Sequence, residues 1–215
     1  MRTPERRKQE SMAFLAAKGV SVVHHLPLLE SEDDTCLRAP SEVARRAVCL
    51  VFVADFAQGH ADGGYWQYVK TNRMESWFTP WEWRFLNTQR PDKQTRINMS
   101  WRIEGAYLLL WSLGCIDELP FPTGPVEPAH AYRCLPEFSI SPEPFIDDSG
   151  LIPKSEILDK ADLIYRMHWA TRQAPLTGQP MPAGLDGGVV QEWHHAINWL
   201  TCYGDLDWDD VSTDT

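Results

Sequence analysis

The sequence has little positive charge. Its 20 Lys and Arg residues face 30 Asp and Glu residues, which gives a formal net charge of -10 at pH 7. Proteins that bind nucleic acids need a positive surface that displaces counterions from the phosphates. We therefore expect no nucleic-acid partner, and a basic protein is the better candidate for a partner.

Cysteine pairs are also missing. The five Cys residues are odd in number and scattered, and none of them forms a C-x-x-C motif. This pattern indicates neither a disulfide framework nor a thiolate zinc site. We expect buried free thiols in a reducing cytosol.

No stretch of the chain is long and apolar enough to span a bilayer. The longest charge-free apolar run near a helix length extends only from Ala47 to Ala54, whereas a membrane helix needs about 20 residues. The segment Met1 to Glu10 is polar and lacks the apolar core of a secretory signal. We expect a cytoplasmic protein that does not enter membranes.

The common catalytic motifs are absent too. The sequence contains no G-x-S-x-G elbow, no phosphate-binding Gly-rich loop and no H-E-x-x-H. Glu192 and His195 have the Glu-x-x-His spacing that di-iron bundles use twice. The other copy, Glu127 to His130, contains Pro128 and lies in an irregular region. We therefore predict no catalytic residue set, no metal site and no cofactor.

The composition favours a folded domain. Hydrophobic residues make up 43% of the 215 residues, enough for a sizeable core. The fold class that we predict is mainly α, a single-domain irregular helical bundle over residues 1–215. Its parts are an N-terminal helix and arm (1–40), a helical core (41–117 and 151–204), a long Pro-rich surface strap (118–152) and an acidic docked tail (205–215).

Helix boundaries can be read at several points. We predict a first helix from Pro4 to Gly19, followed by a short β element near residues 20–28. Ser41 is a candidate N-cap for a helix that runs to Gly59.

Two further helices have candidate start signals. Thr79 and Pro80 begin a short helix toward Asn87, and Ser100 is a candidate N-cap for a helix from Trp101 to Gly114.

The two C-terminal helices have the clearest periodicity. In the first, an apolar face is formed by Ile157, Leu158, Ala161, Ile164, Tyr165, His168 and Trp169. In the second, it is formed by Val190, Trp193, His194, Ile197 and Leu200, and that helix ends near Gly204.

Polar residues interrupt the apolar faces of three predicted helices. Because a buried charge needs a partner, we expect these side chains to meet in one interior network that fixes the helix register. Asp162 and Arg166 have the spacing of a helix-surface ion pair, and His194 is expected to bond to a carboxylate or a carbonyl. The candidate network consists of Arg102, Glu104, Asp162, Arg166, His168, Glu192, His194, His195 and Asn198.

An ordered set of segments resembles a known family. These segments are Trp101–Glu104 with Leu110–Gly114, Ala161–Arg166 with His168–Ala170, His195–Leu200, and Trp208–Thr215. Together they resemble the bacterial domain-of-unknown-function 4272 family, from about Arg45 to the C-terminus. The resemblance implies a helical cytoplasmic protein and brings no activity or site residue. One departure is Trp193-His194, where the family is expected to have Glu-Arg.

Three hypotheses about function follow. The first is a non-enzymatic acidic module that binds a protein, such as an immunity protein that neutralises a basic toxin. The second is a metal-dependent, hydrolase-like enzyme with its site between the helices that carry Glu104, His168 and His195. The third is a structural subunit whose Trp-rich surface closes a homodimer, since the chain has ten Trp residues.

Overall fold

The protein is built from helices, as the sequence predicts. The computed structural model describes residues 2–60, 63–138 and 140–215, and these residues contain no strand. The helices are α1 (Pro4–Ala17), α2 (Pro40–Gln58), α3 (Gly63–Thr71), α4 (Pro80–Leu86), α5 (Lys93–Ser100), α6 (Arg102–Ser112), α7 (Pro128–Cys134), α8 (Glu143–Asp147), α9 (Lys154–Leu176) and α10 (Gly187–Leu200). Short 3₁₀ turns occur at Met74–Trp77, Pro182–Gly184, Tyr203–Asp205 and Trp208–Asp210.

The arm after α1, residues 18–39, crosses the domain without forming a strand. Lys8 of α1 donates to the carbonyl oxygens of His24 and Leu26, at 2.6 Å each. A side chain therefore satisfies carbonyls that a neighbouring strand would otherwise have bonded. The prediction of a short β element near residues 20–28 is wrong for this reason.

Helix α2 lies between two apolar clusters, and this explains its β-branched centre. Val43 and Leu50 belong to the larger cluster, with α6, α9 and α10, whereas Phe52 and Val53 belong to a second cluster with α3 and α4. A helix that is buried on both sides needs no polar face. The helix starts two residues earlier than predicted, because Pro40 takes the first helical position after Ala39, so Ser41 is not its N-cap.

The start of α4 follows the prediction and that of α6 does not. Thr79 accepts from the backbone N–H of Glu82, and Glu82 accepts from that of Thr79, which completes a capping box. Ser100, in contrast, is the last residue of α5, and its hydroxyl donates to the Ile97 carbonyl. Trp101 alone separates α5 from α6, so the predicted cap by Ser100 is wrong.

The apolar face of α10 is confirmed, since all five predicted residues are buried. On α9, Tyr165 and Trp169 are half-buried and the other five residues are buried. Met167 and Ala170 are buried as well, so α9 is enclosed on more sides than its periodicity indicated.

Two irregular segments close the core. The strap contains α7 and α8 and is anchored by the fully buried side chain of Ile146. The C-terminal segment, residues 205–215, crosses α10 and inserts the ring of Trp208, which is 2% exposed. Arg38 donates to the Leu206 carbonyl at 2.7 Å and Asn198 to the Ser212 carbonyl at 2.9 Å, so both ends of this segment are held.

The expectation of buried thiols is wrong for two residues. Cys49 is buried and Cys134 and Cys202 are half-buried, but Cys36 and Cys115 are exposed, because the first lies on the arm and the second just after the C-terminal turn of α6.

No helix within the described part of the chain combines the length and the apolar character that crossing a membrane requires.

Truncating Trp208 tests the role of the C-terminal segment. We expect Trp208→Ala to lower the free energy of unfolding by about 3–5 kcal/mol, because a fully packed indole leaves a large cavity. Trp81→Ala is the matched control, since the Trp81 side chain is 57% exposed, and it should change stability by less than about 0.5 kcal/mol. Urea unfolding of both variants measures this, and equal effects would contradict the docking of Trp208.

Candidate functional site

The ion pair of α9 is buried. Arg166 donates to Asp162 through Nε at 2.8 Å and through Nη2 at 2.6 Å, and both side chains are essentially inaccessible to solvent. Nη2 also donates to the Pro27 carbonyl at 3.3 Å, because the arm crosses over this face of the helix. The prediction of a helix-surface pair is therefore wrong. The arm covers this bidentate pair and excludes solvent from it, and the bond to the Pro27 carbonyl joins α9 to the arm.

His168 and His194 bond to one another. Their Nδ1 atoms are 2.7 Å apart, and their rings meet edge to face across the α9/α10 contact. Burial lowers the pKa of His168 to about 4 and that of His194 to about 3, and nearby Arg172 adds to the first effect. Both rings are therefore neutral at physiological pH, with one Nδ1 donating and the other accepting. The expected carboxylate or carbonyl partner for His194 is wrong.

Glu104 connects α6 to the strap. Its Oε1 accepts from the Val126 backbone N–H at 2.8 Å, and the side chain is fully buried. Oε2 and the indole N–H of Trp193 both lack a hydrogen bond of normal geometry. Burial raises the pKa of Glu104 to about 7, against the opposing effects of Val126 and the nearby Trp193 indole. Glu104 is therefore a carboxyl group that exchanges its proton near neutral pH.

Arg102 and Glu192 form a looser pair nearer the surface. The Nη1 to Oε2 distance is 3.7 Å, and about a fifth of each side chain is exposed. Burial raises the pKa of Glu192, and the charge of Arg102 opposes this.

His195 and Asn198 support the C-terminal segment. The His195 ring packs on Trp208 with centroids 4.7 Å apart, and Asn198 donates to the Ser212 carbonyl. Burial, with the charge of Arg102, lowers the pKa of His195 to about 4.

The nine predicted polar residues thus form separate local groups rather than one network. Glu104, His168 and His195 each have a different partner, namely the strap, His194 and Trp208. Within the described residues, no three His, Cys, Asp or Glu side chains are placed to hold a metal ion together. The expectation of a single network is wrong because each helix contacts a different covering segment.

Two surface depressions have no direct signal in the sequence. The first, which we call the acidic cleft, has a volume of about 830 Å³ and lies between α2, α4 and the C-terminal segment. The residues that define it are Glu42, Arg45, Trp77, Trp81, Asp207 and Asp210. Trp81 stands at its edge with 57% of its surface exposed. The acidic tail and the Trp81-Glu82-Trp83 run were visible in the sequence, but not their proximity.

The second depression, the arm pocket, has a volume of about 560 Å³. It lies between the arm, α9, α10 and the C-terminal segment, and is defined by Leu28, Asp34, Leu158, Tyr165, His194 and Asn198. Two of the predicted polar residues, His194 and Asn198, therefore reach a cavity wall.

Breaking the buried ion pair tests its structural role. We expect Asp162→Ala to cost about 3–5 kcal/mol, because it leaves an unpaired buried guanidinium. Replacing both partners in Asp162→Leu/Arg166→Met should recover at least about 2 kcal/mol of that loss, since no charge then remains buried. Glu10→Ala breaks an exposed pair of the same spacing with Arg6 and should change little. If the double variant unfolds as easily as Asp162→Ala, the pair has another role.

The pKa of Glu104 predicts a pH-dependent effect of Glu104→Gln. Between the ordinary value of 4.5 and the folded value of about 7, the native protein holds a proton that the unfolded chain has released. Its stability therefore falls as pH rises through this window. Relative to wild type, Glu104→Gln should gain up to about 2–3 kcal/mol between about pH 4.5 and pH 8. Denaturant unfolding of both proteins at each pH measures this, and a difference that does not change with pH would contradict it.

Comparisons with known proteins complete the description of the site. Neither the curated proteins nor the solved structures include a match to this chain. Residues 7–211, nearly the whole chain, match the family described as domain of unknown function (DUF4272), which confirms the resemblance seen in the sequence. That description states no activity, substrate or site residue. The chain belongs to the DUF4272 family.

Proposed function

We propose that this is a cytoplasmic, non-enzymatic protein-binding module and that the acidic cleft receives a basic segment of its partner. The observation that carries the proposal is an exposed Trp beside several carboxylates. Trp81 is 57% exposed, and Glu42, Asp207 and Asp210 line the same cleft. An exposed indole next to acidic groups is typical of an interface anchor with a charged rim.

The charge of the cleft favours a cationic partner. Its carboxylates come from Glu42, Asp207, Asp209 and Asp210, and its cations from Arg45 and Arg46. Arg46 is already paired with Glu82 and lies over the Trp208 ring, and Arg45 lies over the Trp77 ring. Glu42 is paired with Arg38, so the exposed Asp207 and Asp210 are the carboxylates best placed to attract Lys or Arg side chains.

An inhibitor of a basic toxin is the type of module that fits best. A net charge of -10 accelerates association with a basic target through long-range attraction, and salt weakens this effect. The hydrolase alternative is less favoured, because Glu104 and His168 are at most 2% exposed and have separate partners. In the homodimer alternative, two copies of the chain would meet through their acidic clefts or through another surface. The test below would then retain only a second copy of the chain.

Capture from an extract of the source cells, with matched variants as bait, tests the proposal. The cleft variants are Trp81→Ala and Asp207→Asn/Asp210→Asn. Asp147→Asn/Asp148→Asn is the control, because it removes two exposed carboxylates from α8 and its C-cap, away from the cleft. We expect a basic protein that wild type and the control retain and that both cleft variants lose.

The association and dissociation rates of the purified partner show whether Trp81 anchors it and whether the carboxylates speed its approach. Trp81→Ala should raise Kd by about 30-fold or more through faster dissociation. The Asp207→Asn/Asp210→Asn variant should mainly lower the association rate at low salt. The proposal is wrong if no protein distinguishes the cleft variants from the control, or if only a second copy of the chain is retained. It is also wrong if the association rate does not depend on the salt concentration.

A further inference from the structure

The arm pocket has the dimensions of a small-molecule site. Its volume of about 560 Å³ lies within the range of about 300–1,000 Å³ that such sites occupy. Its wall combines the arm, two long helices and the C-terminal segment, so residues distant in sequence build it together.

The inner wall of the pocket is apolar. Leu158, Ala161 and Tyr165 line it from α9, and Pro27 and Leu28 line it from the arm. Leu28 is still 43% exposed, and Tyr203 at the opposite side is 52% exposed. Large apolar side chains that remain exposed around a cavity offer contact area to a ligand body.

The charged residues of the pocket wall are all acidic. Glu30, Asp34 and Asp214 line it, and the wall includes no Lys or Arg among the described residues. Three cations lie beside the wall. Arg166 is neutralised by its bidentate contact with Asp162 and Arg7 by Asp159, while Lys154 donates to the Thr35 carbonyl, so the three wall carboxylates outnumber the one unpaired cation. His194 is neutral at physiological pH, because burial lowers its pKa to about 3. The pocket therefore attracts positive charge and repels anions such as phosphates.

Two polar side chains in the wall each have one atom that is free to form a hydrogen bond with a ligand. Asn198 uses its Nδ2 to donate to the Ser212 carbonyl, which leaves its Oδ1 as an acceptor. His194 uses Nδ1 for His168, so Nε2 is the ring nitrogen left for a ligand. Hydrogen bonds on the other side fix both groups, and fixed polar groups of this kind orient ligands in small-molecule sites.

The turn beside the pocket holds a strained backbone. Cys202 and Asp205 are non-glycine residues in the left-handed region, with φ of 53° and 52°, and they flank Tyr203 and Gly204 of the wall. Such conformations are strained in residues other than glycine, and they cluster at ligand sites. The strain is thus a further observation, independent of shape and charge, at the same place.

We propose that the arm pocket binds a small organic amine, with the protonated nitrogen near the carboxylates and an apolar body against α9. This site is separate from the acidic cleft, and the proposal does not depend on the protein-binding function. The shared chemistry of the ligands is an ammonium group attached to an aromatic or aliphatic body.

Tryptamine is the probe, and indole-3-propionate is its matched anion with the same ring system. Isothermal titration gives the affinities, and ¹H–¹³C spectra of Leu158 and Ala161 methyl groups locate the ligand. We expect tryptamine to saturate these methyl shifts with Kd of about 1 mM or tighter, as its size allows. The anion should bind at least about tenfold more weakly, because the carboxylates repel it.

Variants of exposed arm residues keep the test independent of folding. Glu30→Gln/Asp34→Asn should weaken tryptamine binding about fivefold or more, because it removes two of the attracting charges. The control Asp147→Asn/Asp148→Asn removes the same amount of negative charge from α8 and its C-cap, and it should leave Kd within about twofold. Equal binding of amine and anion, equal effects of the two double variants, shifts confined to other methyl groups, or no saturation would each overturn the proposal.

Discussion

The packing of Trp208 on Gly105 is the contact on which the arrangement of the helices depends. A Cβ atom at Gly105 would lie 3.3 Å from Cη2 of Trp208, so the indole fits against a bare stretch of α6. The same ring contacts Trp199 and His195 of α10, and the guanidinium of Arg46 from α2 lies over it. Arg46 in turn pairs with Glu82, which completes the capping box of α4. One side chain from an irregular segment thereby joins three helices directly and a fourth through Arg46.

The interior polar groups have a complementary role. Three of them bond to a covering segment: Arg166 to the arm, Glu104 to the strap and Asn198 to the C-terminal segment. Because an unsatisfied buried polar group is costly, these contacts fix where each irregular segment lies. The two sites that we propose lie on the surface, where the covering segments meet the helices.

The sequence predicts the helices well, but it does not predict how the arm and the other irregular segments cover them. The periodicity of α10 and the capping signal at Thr79 are local, and both are found where they were expected. The burial of Asp162 and the absence of a strand near residues 20–28 depend on where the arm crosses α1 and α9. Such long-range contacts leave no periodic signal in one sequence. Five of the nine polar residues, namely Glu104, Asp162, Arg166, His168 and His194, are buried as expected, but their partners could not be assigned, since a side chain such as His194 accepts several partners equally well.

A double-mutant cycle between Gly105 and Trp208 tests the central claim most directly. Glycine within a helix normally costs about 0.5–1 kcal/mol relative to alanine, so Gly105→Ala would stabilise an ordinary helix. Here the indole is held between His195, Trp199 and Arg46, and we expect Gly105→Ala to destabilise the wild-type protein but to stabilise the Trp208→Ala variant. The cycle, measured by denaturant unfolding, should therefore show a coupling energy and a change of sign. Stabilisation by the same amount in both backgrounds would contradict the account, because Trp208 would then not be packed on α6.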